Sequence, residues 1–309
     1  MSEIIAICPG SLATGGTEGI HHLVSELNTC GADAKILYVG GTQPEEFAGY
    51  NCPYITELPE GYRGTVIIPE IWGNQVIDPK YNGCTVAILW QGVDVYRWHV
   101  PPRKRGLFLQ RTDTIHITMS DYGMDYLRGL GLDPIKIPDC INDAFLKDFT
   151  EEYERGDTVL YNPMPAKMTR FQEDVMSRCK TELGIKFMPL EGYSRDELID
   201  IFRHSKLYID FGVFSGRERL PREAVMCGCC ILTSNKGTAG YLWDNTIPDK
   251  YKLSDVNSAV EMVKYILEHY KKCRPEFGFY QIALQHDRDL YPRQVKSLYD
   301  EILRHNTGA

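Results

Sequence analysis

No run of 18 uninterrupted apolar residues occurs in the chain, so no membrane-crossing helix is expected. The opening MSEIIAICPG lacks a basic stretch ahead of a long apolar core and reads as a buried strand, not a secretory leader. Internal repeats, low-complexity tracts and Gly/Ser linkers are missing, which excludes a solenoid or a fibre. Positive charge is scarce: 34 Lys and Arg stand against 42 Asp and Glu, a net charge of −8. Residues 1–150 hold 11 basic and 18 acidic side chains, and the remainder 23 and 24. Neither half has the basic excess that binds nucleic-acid phosphates, so no nucleic-acid partner is expected. The second half is the better host for a small anion. The ten cysteines form no CxxC pair and show no zinc spacing with histidine. Those in CGCC (Cys227, Cys229, Cys230) and the scattered others read as buried free thiols of a cytoplasmic protein.

What is present points to an α/β protein. A chain of 309 residues, 43% of them hydrophobic, suffices for about two domains with full cores. Apolar runs alternate with amphipathic stretches. IIAIC (4–8), AKILYV (34–39), TVIIPE (65–70), TVAILW (85–90) and IHITMS (115–120) read as buried strands. Helices are expected over 17–31 and 120–132, the latter capped by Ser120. After the polar stretch 151–157 the pattern restarts. Strands are expected at 158–163, 185–192, 206–212 and 230–234. Helices are expected at 168–184, 194–205, 220–228, 256–273 and 293–305. Strand–helix alternation in both halves predicts two parallel α/β domains, with ligands at the carboxyl ends of the strands.

Two segments could carry chemistry. PGSLATGGTEGIHH (9–22) joins a strand to a helix, and Gly15 and Gly16 would let an anion approach the backbone. It is neither a GxGxxG fingerprint nor a P-loop, since the GK[ST] ending is missing. FGVFSGRERLPREAVMCGCCILTS (211–234) places a small turn, Ser215-Gly216, before Arg217, Glu218 and Arg219 and a helix carrying Glu223. Such a turn offers N–H groups to a phosphate, the arginines can neutralise it, and Glu223 can accept from two ribose hydroxyls. A solvated charge run before a helix-start glutamate is the plainer alternative.

The second segment resembles the C-domain signature of GT-B glycosyltransferases, family four in particular. The likeness is collinear over most of the chain. GGTEGIHHLVSELNTCGADAKILYVG is similar to that fold's N-terminal loop, helix and second strand. ITMSDYGMDYLRGLGL with KIPDCINDAF resembles the end of its N-domain, and VLYNPMPAK the first strand and loop of its C-domain. The resemblance implies a role for Lys167 at the donor diphosphate and for Glu223 at the ribose. It places Gly192-Tyr193-Ser194 at the base, where Tyr193 could stack. Ser215 stands where the family has its other glutamate, and Glu218 lies three residues further on. The histidine that often follows the fourth N-domain strand is replaced by Trp90-Gln91.

The expected fold is therefore α/β, with two Rossmann-like domains facing across a cleft. Residues 1–150 form the acceptor side, 151–290 bind the nucleotide-sugar, and 291–309 pack back on the first domain. The expected activity is transfer of a sugar from a nucleotide-sugar to a saccharide or glycoconjugate hydroxyl, with retention and without metal or other cofactor. No DxD-type pair stands at a strand end. An epimerase or phosphorylase on the same fold, or a non-catalytic nucleotide-binding module, are the alternatives. Lys167, Glu218 and Asp94 are the candidate catalytic residues, with His21, His22 and His116 as further candidate bases. Gly15, Gly16, Tyr193, Ser215, Gly216, Arg217, Arg219 and Glu223 are the candidate donor-binding residues. The basic and aromatic stretch RWHVPPRKRGLFLQR (97–111) would suit peripheral contact with an anionic membrane surface, a solvated loop being the alternative.

Overall fold

The structure is a computed structural model that describes residues 3–146 and 152–307. The boundary expected at residues 150 and 151 lies outside the described residues. The chain separates into two compact units, residues 1–140 with 289–309, and residues 141–288. The second unit begins before residue 150 because Ile141 and Phe145 are buried in its own core.

The first unit contains β1 (Ile4–Pro9), α1 (Gly15–Thr29), β2 (Ala34–Val39), β3 (Tyr54–Ile55), β4 (Thr65–Pro69), β5 (Thr85–Trp90), α2 (Val93–His99), β6 (Ile115–Thr118), α3 (Asp121–Gly129) and β7 (Ile135–Lys136). Its strands pair in the order β3-β2-β1-β4-β5-β6-β7, all parallel. A parallel sheet is covered on both faces, which is why its strands read as unbroken apolar runs. Alternate residues serve alternate faces. Ile4, Ala6, Cys8, Ile67, Ala87 and Leu89 enter one core. Ile5, Ile7, Val66, Ile68, Val86 and Ile88 enter the other. Three elements depart from expectation. The strands β3 and β7 have two residues each, too few to show a period, and VDVYRWH forms the helix α2.

The second unit contains β8 (Gly156–Tyr161), α4 (Arg170–Leu183), β9 (Phe187–Pro189), α5 (Arg195–Arg203), β10 (Ser205–Asp210), α6 (Arg219–Met226), β11 (Cys230–Thr233) and α7 (Val256–Cys273). Its sheet is also parallel, in the order β11-β10-β8-β9.

The last helix, α8 (Gly278–Thr307), starts well before the expected residue 293 and contains Pro292. An interior proline costs a helix about 3 kcal/mol. Residues 289–307 count with the first unit, where Tyr291, Val295, Leu298, Tyr299 and Ile302 make an apolar stripe in its core. Burying Val295, Leu298 and Ile302 fully is worth about 1.5–3 kcal/mol each, which outweighs the proline.

Candidate functional site

In the second unit four connections leave the carboxyl end of the sheet: 162–169 after β8, 190–194 after β9, 211–218 after β10 and 234–240 after β11. This is the end at which parallel α/β sheets bind ligands. Lys167 lies in the first connection and reaches the third. Its ammonium donates to the Val213 carbonyl at 2.9 Å and lies 2.8 Å from Glu218 Oε1. It is 4.0 Å from Asp210 Oδ2 and 4.8 Å from the centre of the Phe214 ring. The close approach requires Gly212: a Cβ there would stand 2.8 Å from Lys167 Cδ and 3.1 Å from Asp210 Oδ1.

Asp210 ends β10 and is wholly buried. Its carboxylate accepts from the Gly212 N–H at 3.0 Å and from the Tyr208 hydroxyl at 3.4 Å. Burial pushes this acid up to about 6 against the opposing pull of Lys167. The 213–216 backbone is stitched to the fourth connection. The Phe214 N–H donates to the Lys236 carbonyl, the Thr238 N–H to the Phe214 carbonyl, and the Thr238 hydroxyl to the Gly216 carbonyl at 2.6 Å. Gly237 allows this with φ +63°, since a Cβ there would overlap the Phe214 carbonyl oxygen. Ser215 and Gly216 are thus held in a fixed turn before α6, and Glu218 is the N-cap residue of that helix. Glu223 is buried on α6 beside Arg222, whose guanidinium donates to the Glu218 and Arg217 carbonyls. The N-terminus of α6 concentrates N–H groups without intrahelical partners. Tyr193 follows Gly192 (φ +76°) and is 36% exposed at the start of α5, where Ser194 and Glu197 form a capping box.

Arg217 has a partner within the second unit. Its guanidinium is buried and pairs with Asp287 at 2.7 Å. The partner lies on α8, so no local pattern could indicate it. Arg219 is half-buried in the first turn of α6.

In the first unit Gly15 and Gly16 form the first turn of α1, not a loop before it. Thr14 caps that helix and Thr17 completes a capping box. The Gln91 amide donates to the Gly16 carbonyl at 2.7 Å, and a Cβ on Gly19 would stand 2.9 Å from that amide nitrogen. Asp94 belongs to the first turn of α2. Its carboxylate pairs with Arg97 at 3.1 Å and accepts from the Tyr122 hydroxyl at 3.1 Å, so it is committed to neighbours.

The three candidate histidines each have neighbours of their own. A carbonyl only accepts, so His21 donates from Nδ1 to the Thr17 carbonyl at 2.7 Å; its Nε2 then accepts from the Tyr38 hydroxyl at 2.6 Å. His22 packs its ring on Tyr291 at 4.7 Å. His116 accepts at Nδ1 from the Trp90 indole N–H at 3.1 Å, and burial lowers its pKa to about 4. With the folded value below the ordinary one, this group's contribution is present above pH about 6.5 and lost as pH falls through about 4. The loss amounts to about 3 kcal/mol. His116→Phe forfeits about 1–3 kcal/mol at neutral pH by orphaning the Trp90 N–H. In urea unfolding, wild type and variant should therefore converge by about 2–3 kcal/mol between pH 7.5 and 4.5. A constant gap would contradict this assignment.

The stretch 97–111 is a braced corner. Arg111 donates to the Val76, Tyr81 and Cys84 carbonyls, Arg105 to the Val100 carbonyl, and Phe108 is fully buried. The CGCC thiols are buried, and burial raises their pKa values, that of Cys229 to about 12, which leaves them unreactive as thiolates. Among the described residues no helix is long and apolar enough to cross a membrane.

Two carboxyls whose pKa burial raises have no place in the sequence reading. One is Asp210. The other is Glu70, which follows β4 and accepts from the N–H groups of Gln91 at 3.2 Å and Gly92 at 3.0 Å. Burial pushes Glu70 up to about 7. The signal for both was an acidic residue at the end of an apolar strand run, KLYIDFG and TVIIPE.

No family model and no curated protein sequence matches the chain. Solved structures do. A glycosyltransferase from Rickettsia africae is 15% identical with a TM-score of 0.70, over 98% of this chain and 99% of that one. A sucrose-phosphate synthase from Thermosynechococcus elongatus is 13% identical with a TM-score of 0.73, over 98% and 99%. The T4 phage protein BGT, solved with its UDP-glucose substrate, is 10% identical with a TM-score of 0.56, over 97% and 99%. The chain therefore has the α/β GT-B fold of these glycosyltransferases.

Proposed function

We propose that the chain transfers a sugar from a nucleotide-sugar to an acceptor hydroxyl and that its second unit holds the nucleotide. The observation that carries this reading is the gathering of Lys167, the fixed Ser215-Gly216 turn and the α6 start with Glu223 at one end of the second sheet. In it, Lys167 and the α6 N-terminus meet the diphosphate, where negative charge develops as the sugar leaves. Glu223 accepts from the ribose, Tyr193 stacks on the base, and Glu218 takes the donor-sugar place of the missing glutamate. Arg217 has no part, being spent on Asp287. The charge is met without a metal ion, and retention follows from the family-four resemblance. The acceptor is a saccharide or glycoconjugate; a net charge of −8 weighs against a nucleic acid.

Thermal shifts with UDP, GDP, ADP, dTDP and CMP test the reading. UDP is the first choice, because the similar phage protein was solved with UDP-glucose. A nucleotide at 100 times its dissociation constant should stabilise the wild type by about 2.7 kcal/mol, and Glu223→Ala by much less. No response to any of them overturns it. Ser215 in the glutamate position favours a second reading, a nucleotide-binding module without turnover. Intact binding with neither a glycoside nor an isomerised nucleotide-sugar as product would support that.

A further inference from the structure

We propose that Asp210 is a further member of the nucleotide site and couples diphosphate binding at Lys167 to the uptake of one proton. The inference rests on the reading that the diphosphate binds at Lys167.

Lys167 is one ammonium between two carboxylates, Glu218 at 2.8 Å and Asp210 at 4.0 Å. The two are not equivalent. The Glu218 side chain is 22% exposed and begins a helix, so it can swing off the ammonium toward the donor sugar when phosphoryl oxygens take its place. Asp210 is 1% exposed at the end of a central strand and cannot move away. A buried carboxylate stays charged only while it is paired and hydrogen-bonded. Its cation is Lys167, and its hydrogen bonds come from Gly212 and Tyr208.

Other groups around it offer little compensation. Tyr208 is pushed well above neutrality by burial and stays protonated. Gln172 of α4 is neutral and bonded to the Phe211 N–H. α5 and α7 contribute Phe202 and Val263 to the core around β10. Glu223 on α6 adds a further acid to this neighbourhood, near Tyr208. A diphosphate brings two more negative charges to the shared ammonium, and like charges in a buried site disfavour the ionised acid. Asp210 already sits at about 6 without the ligand, so a modest rise carries it through neutral pH. The proton comes from the buffer and stays on the Asp210 carboxyl, which as a neutral acid still accepts from Gly212.

Calorimetry of the full chain with UDP-glucose is the test. Each of its phosphates carries one ester and one anhydride link and keeps a single acidic group that is ionised throughout pH 5 to 8.5, so any proton exchanged belongs to the protein. If the nucleotide panel selects another base, the glucose diphosphate of that base replaces it. At pH 7, comparison of buffers with different ionisation enthalpies should give an uptake of about 0.5–1 proton, and affinity should fall about tenfold from pH 6.5 to 8. Asp210→Asn should bind with no uptake and a flat pH profile. If that variant does not fold, aspartate-labelled wild type shows the same carboxyl by carbon NMR, neutral with ligand and ionised without it at pH 7. Binding that is proton-neutral in the wild type, or uptake that persists in Asp210→Asn, overturns the inference and leaves the nucleotide site standing. Absence of binding by every nucleotide of the panel removes the site and the inference together.

Discussion

Lys167→Met should weaken binding of a nucleoside diphosphate by about 30-fold to several thousandfold. Removing the charged partner from a buried ion pair costs about 2–5 kcal/mol. Lys167 is such a partner: 7% exposed at its side chain, touching Glu218 and the Val213 carbonyl. Methionine keeps an apolar stem in the space that Gly212 leaves open, so packing is largely spared. Titration with the diphosphate and with the bare nucleoside separates charge from packing. The nucleoside never meets the ammonium and should bind wild type and variant alike. Equal diphosphate affinities in the two proteins would remove Lys167 from the site.

Arg217→Ala should instead cost stability, about 3–5 kcal/mol, because it leaves a carboxylate without its buried partner. Arg217 is 2% exposed at its side chain and Asp287 23%, at 2.7 Å. Chemical unfolding reads the loss. Nucleotide affinity, measured well below the unfolding midpoint, should change little. The reverse pattern, a lost affinity with stability intact, would restore Arg217 to the diphosphate and refute the structural role. The two substitutions thus separate two buried positive charges with different partners.

Much of the fold was legible because parallel sheets write themselves locally. IIAIC and TVAILW are buried on both faces, and such runs need no partner to be recognised. Caps were equally local: Ser120 and Ser194 each accept from a backbone N–H of the helix they start. Short elements were not legible. β3 and β7 exist because a neighbouring strand offers its edge, and two residues carry no period. Ile141 and Phe145 belong to the core of the second unit through packing that no local period announces.

The candidate site divides along the same line. Sequence by itself determined which residue types stand near which strand ends: Lys167 after β8, the small turn before α6, Glu223 within it. Tertiary structure alone decided which of them meet. It brought Glu218 to Lys167, sent Arg217 to Asp287, and spent His21 and His116 on Tyr38 and Trp90. It also buried Asp210 beneath the lysine. The reason is range. Periodicity and capping act within a few residues, whereas a charge is given its partner by segments far apart in the chain. Burial then fixes how strongly that charge is felt.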